Sequence, residues 1–460
     1  MAYAKKLKRV VVAGGGFTGL AAAAALAELG CEVTVLEGHL SFDPRFRGEL
    51  IHPRGVRALD ILGFKRALLA AGGVPVDGFA VTPGDGGKLM RLPYPTGSGL
   101  GLGIEHHAMV GAMREVVSQR PNVTFLAGKR VEELVTHEGR VIGVKTHDGQ
   151  SFFCDLLVAA DGRQSKLRRL IGLEPPVRLL SYTLAVTVEG DVLPAAGHGH
   201  VFLGAPGPIL AYPFGERRVR MCIDVPLGEA RGKDALRRYV RENYARHVPE
   251  PLRTPFLESL ESHPLEGCAN HAISTEGCAI PGAVLVGEAA GCSHPLTASG
   301  MTIGMHDVLV LAKALKKHGT EEAALMAYQH QRYRYVRPRE VFTDALYEVF
   351  SSNDEGAKAL RSGVFRYWAS GDRAKSKSMA ILSGDEASPL AFAAEYARVM
   401  GRSTIQVSTD GFTPRAMMNN LKRLKAMFGV SYGRLEDTFN HAVKALVVPR
   451  RVERRFERAA

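Results

Sequence analysis

The sequence predicts an α/β fold in which a nucleotide-binding domain with a parallel sheet is interrupted by a mainly β segment and followed by helices. Three observations predict it. A glycine-rich turn near residue 14 joins an apolar strand to an alanine-rich helix, short alternating runs separated by glycine turns fill the middle of the chain, and helical periodicity dominates from about residue 320. The 460 residues also exceed what one hydrophobic core usually serves, so more than one domain is expected.

The first element is a strand, turn and helix unit at the amino terminus. Residues 14–19 read GGGFTG, which matches G-x-G-x-x-G in the required position between a strand and a helix. Gly14 permits the tight turn, Gly16 lets a pyrophosphate approach the backbone, and Gly19 lets helix and strand pack closely. The next strand ends at Glu37, which is placed to bind ribose hydroxyls. An acid at this position favours an unphosphorylated ribose, and therefore FAD or NAD.

Two later strand ends supply a second set of acidic turns. Asp161 follows the apolar run 156–160, and Gly287 and Glu288 follow the run 283–286. A ligand as long as FAD needs such contacts, because its ribityl and isoalloxazine parts extend beyond one β-α-β unit. Together with the amino-terminal motif, these turns favour FAD over NAD.

Composition restricts the other classes of function. The formal net charge of +12 suggests an anionic partner, which could be a membrane surface, a nucleic acid or the phosphates of a dinucleotide. Nucleic-acid binding is not expected, because the basic carboxy-terminal tail offers only Phe456 as an aromatic residue. The six cysteines form no C-x-x-C pair, and no histidine or carboxylate cluster has metal-ligand spacing, so neither disulfides nor a metal site are expected.

With these features, the sequence resembles the flavin-dependent aromatic hydroxylases and, within them, the squalene epoxidase (squalene monooxygenase) family. The glycine motif, Glu37, Asp161 and Glu288 indicate the general class. The narrower resemblance extends over about residues 8–383 and rests on these segments: His294-Pro295-Leu296-Thr297, Gly300-Met301-Thr302, Asp307, Gly48-Glu49-Leu50 with Pro53, Pro93-Tyr94-Pro95, His106, and Ala345-Leu346-Tyr347-Glu348 with Phe350-Ser351.

The resemblance implies a Rossmann-type FAD domain with an inserted β-sheet substrate domain and a helical C-terminal appendage. Six segments are expected: parts of the FAD domain at 1–80, 121–170 and 281–320, an interdomain segment at 81–120, the substrate domain at 171–280 and the helical region at 321–460.

The resemblance also implies the chemistry. Reduced FAD reacts with O2 to give a C4a-hydroperoxide, and a double bond of an apolar isoprenoid-type substrate, such as squalene or a prenylated metabolite, attacks its distal oxygen. NAD(P)H supplies the electrons, directly or through a separate reductase. No catalytic side chain or metal is required, because the cofactor carries the reaction.

Site residues follow from the same resemblance. Glu37 would bind the adenosine ribose, Arg45 or its neighbour Arg47 the polar tail of the flavin, Glu288 the ribityl or pyrophosphate, and Met301 would lie at the isoalloxazine. The expected cofactor-binding residues are Gly14, Gly15, Gly16, Gly19, Glu37, Arg45, Arg47, Asp161, Gly287, Glu288, Pro295, Gly300 and Met301.

Two residues at the expected edge of the flavin depart from the family. His52 stands where squalene epoxidases carry a Gln, and Phe79 stands where they carry the Tyr that orients that Gln. This edge is therefore expected to be built differently, which leaves other functions open. These are hydroxylation of an aromatic or quinone ring, reduction of prenyl double bonds, and a non-enzymatic role at a lipid surface.

The carboxy-terminal region has a basic amphipathic character. Residues 414–428 place apolar side chains on one face against arginines and lysines, and five arginines follow between residues 450 and 458. Such a region can lie on an anionic membrane surface, or it can form a helical layer with a solvated tail. The expected location is the cytoplasm, with the inner face of a membrane as the alternative.

Overall fold

The structure is a computed structural model that describes residues 7–41, 46–84, 87–229, 232–275, 277–352, 355–388, 391–399 and 402. Arg45 lies outside the described residues, and so do the amphipathic segment 414–428 and the arginines beyond residue 450.

Twenty strands lie within the described ranges. They are β1 (Arg9–Ala13), β2 (Glu32–Leu36), β3 (Leu50–Ile51), β4 (Val74–Val76), β5 (Gly78–Thr82), β6 (Met90–Pro93), β7 (Gly101–Gly103), β8 (Val123–Leu126), β9 (Val131–His137), β10 (Arg140–Thr146), β11 (Ser151–Phe153), β12 (Leu156–Ala159), β13 (Val177–Glu189), β14 (His198–Phe202), β15 (Ile209–Pro213), β16 (Arg218–Val225), β17 (Glu266–Ser274), β18 (Ala279–Ile280), β19 (Ala283–Leu285) and β20 (Gly291–Cys292).

The α-helices of the same ranges are α1 (Phe17–Glu28), α2 (Pro53–Ile61), α3 (Lys65–Ala70), α4 (His106–Ser118), α5 (Lys166–Leu170), α6 (Lys233–Asn243), α7 (Arg253–Ser262), α8 (Gly300–Lys317), α9 (Glu321–Ser351), α10 (Glu355–Ala369) and α11 (Asp372–Ser383). Residues 391–399 are also helical. In the part of the chain that the structure describes, none of these helices has the length and apolar character needed to cross a membrane.

A six-stranded sheet in the order β18-β19-β12-β1-β2-β8 forms the nucleotide-binding core. Its strands pair in parallel except for β18, which is antiparallel to β19. The runs Val10–Val12 and Leu156–Val158 are buried on both faces, as strands of a covered parallel sheet must be. The sheet therefore assembles strands from three separated parts of the sequence.

An eight-stranded sheet in the order β20-β17-β13-β16-β15-β14-β5-β6 forms the second layer. One face packs on α6 and α7 through buried residues such as Val240, Tyr244 and Phe256. The other face, with Phe79 and Tyr212, packs against α9, α10 and α11. The small sheets β11-β10-β9 and β3-β7-β4 complete the strands described. The fold class predicted from the sequence is confirmed, whereas the six segment boundaries stay predictions.

Candidate active site

Of the three motif glycines in the amino-terminal turn, Gly14, Gly16 and Gly19, only Gly16 leaves room for a ligand. Gly14 has φ +109°, and a Cβ there would lie 2.4 Å from the carbonyl oxygen of Ala160. A Cβ on Gly19 would lie 1.8 Å from the carbonyl oxygen of Gly14, so both positions require glycine. A Cβ on Gly16 would meet nothing within 4 Å. The turn therefore fits a pyrophosphate lying against Gly16.

Glu37 is fixed beside this turn at the end of β2. Its Oε2 accepts a hydrogen bond from the backbone N–H of Gly15 at 2.8 Å, and its Oε1 accepts one from that of His39 at 2.9 Å. A carboxylate has about four acceptor positions, so capacity for ribose hydroxyls remains. The geometry is compatible with the predicted ribose contact.

Asp161 at the end of β12 is already engaged with its own loop. Its Oδ1 accepts from the hydroxyl of Ser165 at 2.5 Å, and its Oδ2 accepts from the backbone N–H of Leu167 at 3.0 Å. These bonds hold the first turn of α5, as carboxylates at helix N-termini commonly do. A contact between Asp161 and the cofactor stays a prediction.

The two predicted acidic turns are joined by arginines that the sequence did not single out. Arg168 donates to the carbonyl of Ala289 at 2.9 Å and to that of Arg163 at 2.8 Å. Arg163 forms an ion pair with Glu288, with 3.2 Å between Nε and Oε2. Their position within a basic run after a strand end was the only signal in the sequence. The side chain of Glu288 therefore reaches Arg163 and joins the two turns.

A buried carboxylate fixes the backbone of Gly287. Asp307 on α8 has no exposed surface, and its Oδ2 accepts from the N–H of Gly287 at 2.8 Å and from Nε of Arg332 at 3.1 Å. The hydroxyl of Tyr335 donates to the other oxygen, Oδ1. Gly287 has φ +62°, and a Cβ there would lie 2.7 Å from Oγ1 of Thr18. Asp307 thus locks the turn after β19 onto the start of α1.

The first turn of α8 meets the segment before β3. A Cβ on Gly48 would lie 3.2 Å from Cε of Met301, and a Cβ on Gly300 would lie 3.8 Å from Oε1 of Glu288. Residues 48, 288, 300 and 301 are therefore brought together from both parts of the predicted flavin site. Arg47 is exposed beside them.

His52 lies at the centre of the predicted flavin edge and is fully buried. Its Nε2 is 2.7 Å from the carbonyl oxygen of Thr297, and its Nδ1 is 2.9 Å from the hydroxyl of Tyr94. A carbonyl only accepts, so Nε2 carries the proton and Nδ1 accepts from Tyr94. Burial, helped by the charge of Arg339, lowers the pKa of His52 from 6.5 to about 4. Phe79 packs beside it, with 5.9 Å between the ring centres.

Phe79 cannot supply a hydrogen bond to His52, and the structure supplies a phenol from Tyr94 instead. The sequence did not assign Tyr94 this role. It stands directly after β6, whose Pro93 pairs with Gly78 on β5. This register brings the rings of Tyr94 and Phe79 together beside His52, with 6.4 Å between the centres of the two rings and 5.9 Å from each to His52.

His294 anchors the other end of the Pro295–Thr297 turn. Its Nδ1 accepts from the N–H of Leu296 at 3.1 Å, and its Nε2 lies 3.1 Å from Oδ1 of Asp224 on β16. The ring stacks on Tyr347 at 3.9 Å, and the hydroxyl of Tyr347 donates to Oδ2 of Asp224 at 3.1 Å. The turn is therefore held by the β-sheet layer at His294 and, through its Thr297 carbonyl, by His52.

An apolar cavity with about 1100 Å³ of empty space opens beside this turn. Phe79, Leu296 and Thr297 line it next to His52. Helices α9, α10 and α11 supply much of the remaining wall, including Trp368 and Met379. The cavity thus extends from the predicted flavin edge into the helical region, and most of its lining is hydrocarbon.

Comparison with protein families gives two matches. The family model for squalene epoxidase matches residues 153–421, and the model for pyridine nucleotide-disulphide oxidoreductase matches residues 1–51. The chain is 32% identical over 406 residues to "Squalene epoxidase 2, mitochondrial" of Arabidopsis thaliana, covering 84% of this chain and 68% of that protein. It is 28% identical over 400 residues to "Squalene epoxidase erg1" of Schizosaccharomyces pombe, covering 83% and 86%.

Solved structures share the fold. The p-nitrophenol 4-monooxygenase PnpA from Pseudomonas putida DLL-E4 superposes with a TM-score of 0.72 at 22% identity, covering 83% of this chain and 99% of that one. HpxO from Klebsiella pneumoniae, complexed with FAD and uric acid, superposes with a TM-score of 0.67 at 22% identity, covering 85% and 97%.

Proposed function

This chain belongs to the squalene epoxidase family and is an FAD-dependent monooxygenase, and on that premise we propose that it epoxidises a double bond of an apolar isoprenoid-type molecule. One atom of O2 enters the alkene and the other leaves as water. NAD(P)H supplies the two electrons, directly or through a separate reductase. FAD, when bound and reduced, supplies the activation of O2.

The apolar cavity is the observation that carries this proposal. It is concave and mostly apolar, as small-molecule sites are, and it reaches the Pro295–Thr297 turn, beside the residues expected at the flavin. Its aromatic and aliphatic lining excludes water from the reacting atoms and gives an isoprenoid chain surface to pack against. A phenol or quinone would need more polar groups to orient it, so the lining favours an alkene over an aromatic ring.

In this proposal the side chains of the protein position the cofactor and the substrate, and none of them reacts covalently. The Gly14–Gly19 turn and Glu37 would hold the nucleotide part of FAD, and the turn at Gly287 and Glu288 would approach its ribityl part. His52 is neutral near pH 7, because its pKa is lowered to about 4. In this neutral form it donates to the carbonyl of Thr297, which lines the cavity.

The test uses the FAD-loaded protein, reduced without oxygen and then exposed to ¹⁸O2 with squalene or a prenylated phenol. We expect a product that gains one ¹⁸O atom as an epoxide, as measured by mass spectrometry. An oxygen on the ring would instead indicate a hydroxylase. A saturated double bond without ¹⁸O would indicate a reductase, and a purified protein that retains no FAD would contradict the proposal.

We also propose that the enzyme works at a membrane surface. A water-insoluble hydrocarbon is concentrated in lipid, and the basic carboxy-terminal residues could attract anionic headgroups. Co-sedimentation with vesicles containing phosphatidylserine, but not with phosphatidylcholine alone, would support this location. Deletion of residues 450–460 should then abolish the co-sedimentation.

A further inference from the structure

A second cavity, with about 570 Å³ of empty space, lies beside the apolar one. The two share Phe342, Ile381 and Phe392 in their linings. Unlike the apolar cavity, this one is lined by basic side chains, namely Arg54 at the start of α2, His306 on α8 and Arg339 on α9. We refer to it as the basic cavity.

Neither guanidinium group of the basic cavity is held by a direct ion pair, although Glu386 lines the cavity and the charge of Asp385 acts on Arg54. Among the described residues, neither Arg54 nor Arg339 forms an ion pair with a carboxylate, although Arg339 is only 9% exposed. The Arg339 guanidinium donates to the carbonyls of Ile381 and Leu382, and Nη1 of Arg54 donates to that of Gly384 at 2.5 Å. These donors are satisfied by carbonyl dipoles, so neither positive charge has a carboxylate bonded directly to it in this poorly solvated place.

Nearby carboxylates are directed elsewhere. Asp385 pairs with Arg57 at 2.5 Å, and Glu386, which lines the basic cavity, accepts from the backbone N–H of Ser388 at 2.7 Å. The two arginines also repel each other, since the charge of Arg54 adds to burial in lowering the pKa of Arg339 to about 10. In the absence of a ligand, the two neighbouring positive charges therefore destabilise each other.

Two polar groups could complete a ligand site. Nη2 of Arg54 lies 3.0 Å from Nε2 of His306, whose pKa burial and Arg54 lower to about 4. Nδ1 of His306 lies 3.2 Å from the same nitrogen, so the neutral ring accepts from Arg54 and fixes the direction of its guanidinium group. Oγ1 of Thr302, which also lines the basic cavity, is buried and has no hydrogen-bond partner among the described residues.

We propose that the basic cavity binds a carboxylate or phosphate group between Arg54, Arg339 and His306. Two sources supply this chemistry: the anionic end of an isoprenoid whose apolar part lies in the neighbouring cavity, or a free anion. The first source rests on the proposed function, because it makes the substrate an amphiphile with an anionic end. Guanidinium groups suit both ligands, since they present paired donors to carboxylates and phosphates.

The test measures binding to the FAD-loaded full chain by calorimetry. Farnesoic acid and farnesol differ only in the terminal group, and inorganic phosphate is the free-anion probe. We expect the acid to bind roughly tenfold or more tightly than the alcohol, because hydrogen bonds to charged groups are the stronger class. Arg54→Gln should reduce binding of the acid to the level of the alcohol, and Arg54→Lys should retain part of the preference.

Arg66→Gln is the control. Arg66 lies on the next helix, α3, is exposed and does not line the basic cavity. The variant removes the same charge, and we expect it to change the affinity for the acid by less than about threefold.

The arms of the experiment distinguish the two sources. If the protein prefers farnesoic acid to farnesol and inorganic phosphate does not displace the acid, the ligand is an amphiphile with an anionic end. Phosphate binding that Arg54→Gln abolishes assigns it to a free anion. Equal affinity for acid and alcohol in the unmodified protein, together with no phosphate binding, would overturn the proposal, and so would equal losses in Arg54→Gln and Arg66→Gln. Binding does not depend on turnover, so an enzyme that forms no epoxide would leave this result intact.

Discussion

Tyr94 donates its hydroxyl hydrogen to Nδ1 of His52 across 2.9 Å, inside a contact from which water is excluded. This bond leaves Nε2 of His52 as the donor to Thr297, so one phenol determines which way the imidazole can hold the active-site turn.

Tyr94→Phe should lower the free energy of unfolding by about 1–3 kcal/mol, because Nδ1 of His52 is left buried without a partner. Urea unfolding of the FAD-free protein measures this. Tyr182→Phe is the control, since Tyr182 is 47% exposed and its loss should change little. A Tyr94→Phe variant as stable as the Tyr182→Phe variant would contradict the assigned hydrogen bond.

Acid should destabilise the protein through its buried histidines. The pKa values of His52, His200 and His306 are each lowered to about 4, mainly by burial. Between about pH 6.5 and pH 4 the unfolded chain binds protons that the folded chain does not, so stability is full above pH 6.5 and falls as the pH is lowered.

His52→Gln should flatten part of this pH dependence. A glutamine amide can donate to the Thr297 carbonyl and accept from Tyr94 without titrating. The measurement is the free energy of unfolding at several values between pH 4.5 and pH 7. His137→Gln, at an exposed position, should reproduce the unmodified curve. An unchanged slope in His52→Gln would show that His52 does not contribute to it.

Substitution of two glycines in the amino-terminal turn should impair different properties of the protein, namely FAD binding and stability. Gly16→Ala should leave the thermal stability of the FAD-free protein nearly unchanged, because a Cβ there meets nothing within 4 Å. It should weaken FAD binding by about tenfold or more, because the added methyl group would meet the ligand. Gly19→Ala should destabilise the FAD-free protein itself, because its Cβ would lie 1.8 Å from the Gly14 oxygen. Equal thermal shifts in the two variants would contradict this separation.

Asp307→Asn should cost about 3–5 kcal/mol of stability, because it leaves the buried guanidinium of Arg332 without its counter-charge. The control is Asp191→Asn. Asp191 pairs with Arg217 on the surface, where such a pair contributes about 0–1 kcal/mol. Chemical denaturation compares the two, and similar small losses would show that the Asp307–Arg332 pair is not essential to the turn at Gly287.

Filling the apolar cavity should impair turnover without affecting FAD. Ala345 on α9 lines the cavity, so Ala345→Phe should lower kcat/KM for an isoprenoid by about tenfold or more while FAD content stays the same. Met326→Phe is the control, since Met326 lies on the same helix and is 40% exposed. Undiminished kcat/KM in Ala345→Phe would place the substrate elsewhere.

Local patterns were sufficient to predict the geometry of the amino-terminal turn, whereas its contacts with FAD stay a prediction. The spacing of Gly14, Gly16 and Gly19 and the acid at Glu37 follow from the geometry of one strand, turn and helix, which a short stretch of sequence encodes. The position of Asp161 at a strand end predicted a contact with the cofactor. In the structure its carboxylate accepts hydrogen bonds from Ser165 and Leu167 of its own loop, so this prediction is less direct.

Contacts between layers could not be predicted in this way. Tyr94 reaches His52, and Arg339 approaches Arg54, only because the β-sheet layer and the helical region both pack against the nucleotide-binding domain. No periodicity or spacing records which side chains meet across such interfaces. Resemblance to a family could not supply them either, since His52 itself departs from the family pattern.

The order of strands in the central sheet has a consequence for synthesis of the protein. β1 leaves the ribosome early, but its partner β12 begins at Leu156, and β12 in turn waits for β19 at Ala283. Until β12 has been synthesised, the apolar run Val10–Val12 has one unpaired edge, which is the kind of surface that chaperones protect. If the turn at Gly287 contacts FAD as proposed, the cofactor site is incomplete in a nascent chain until that turn has emerged.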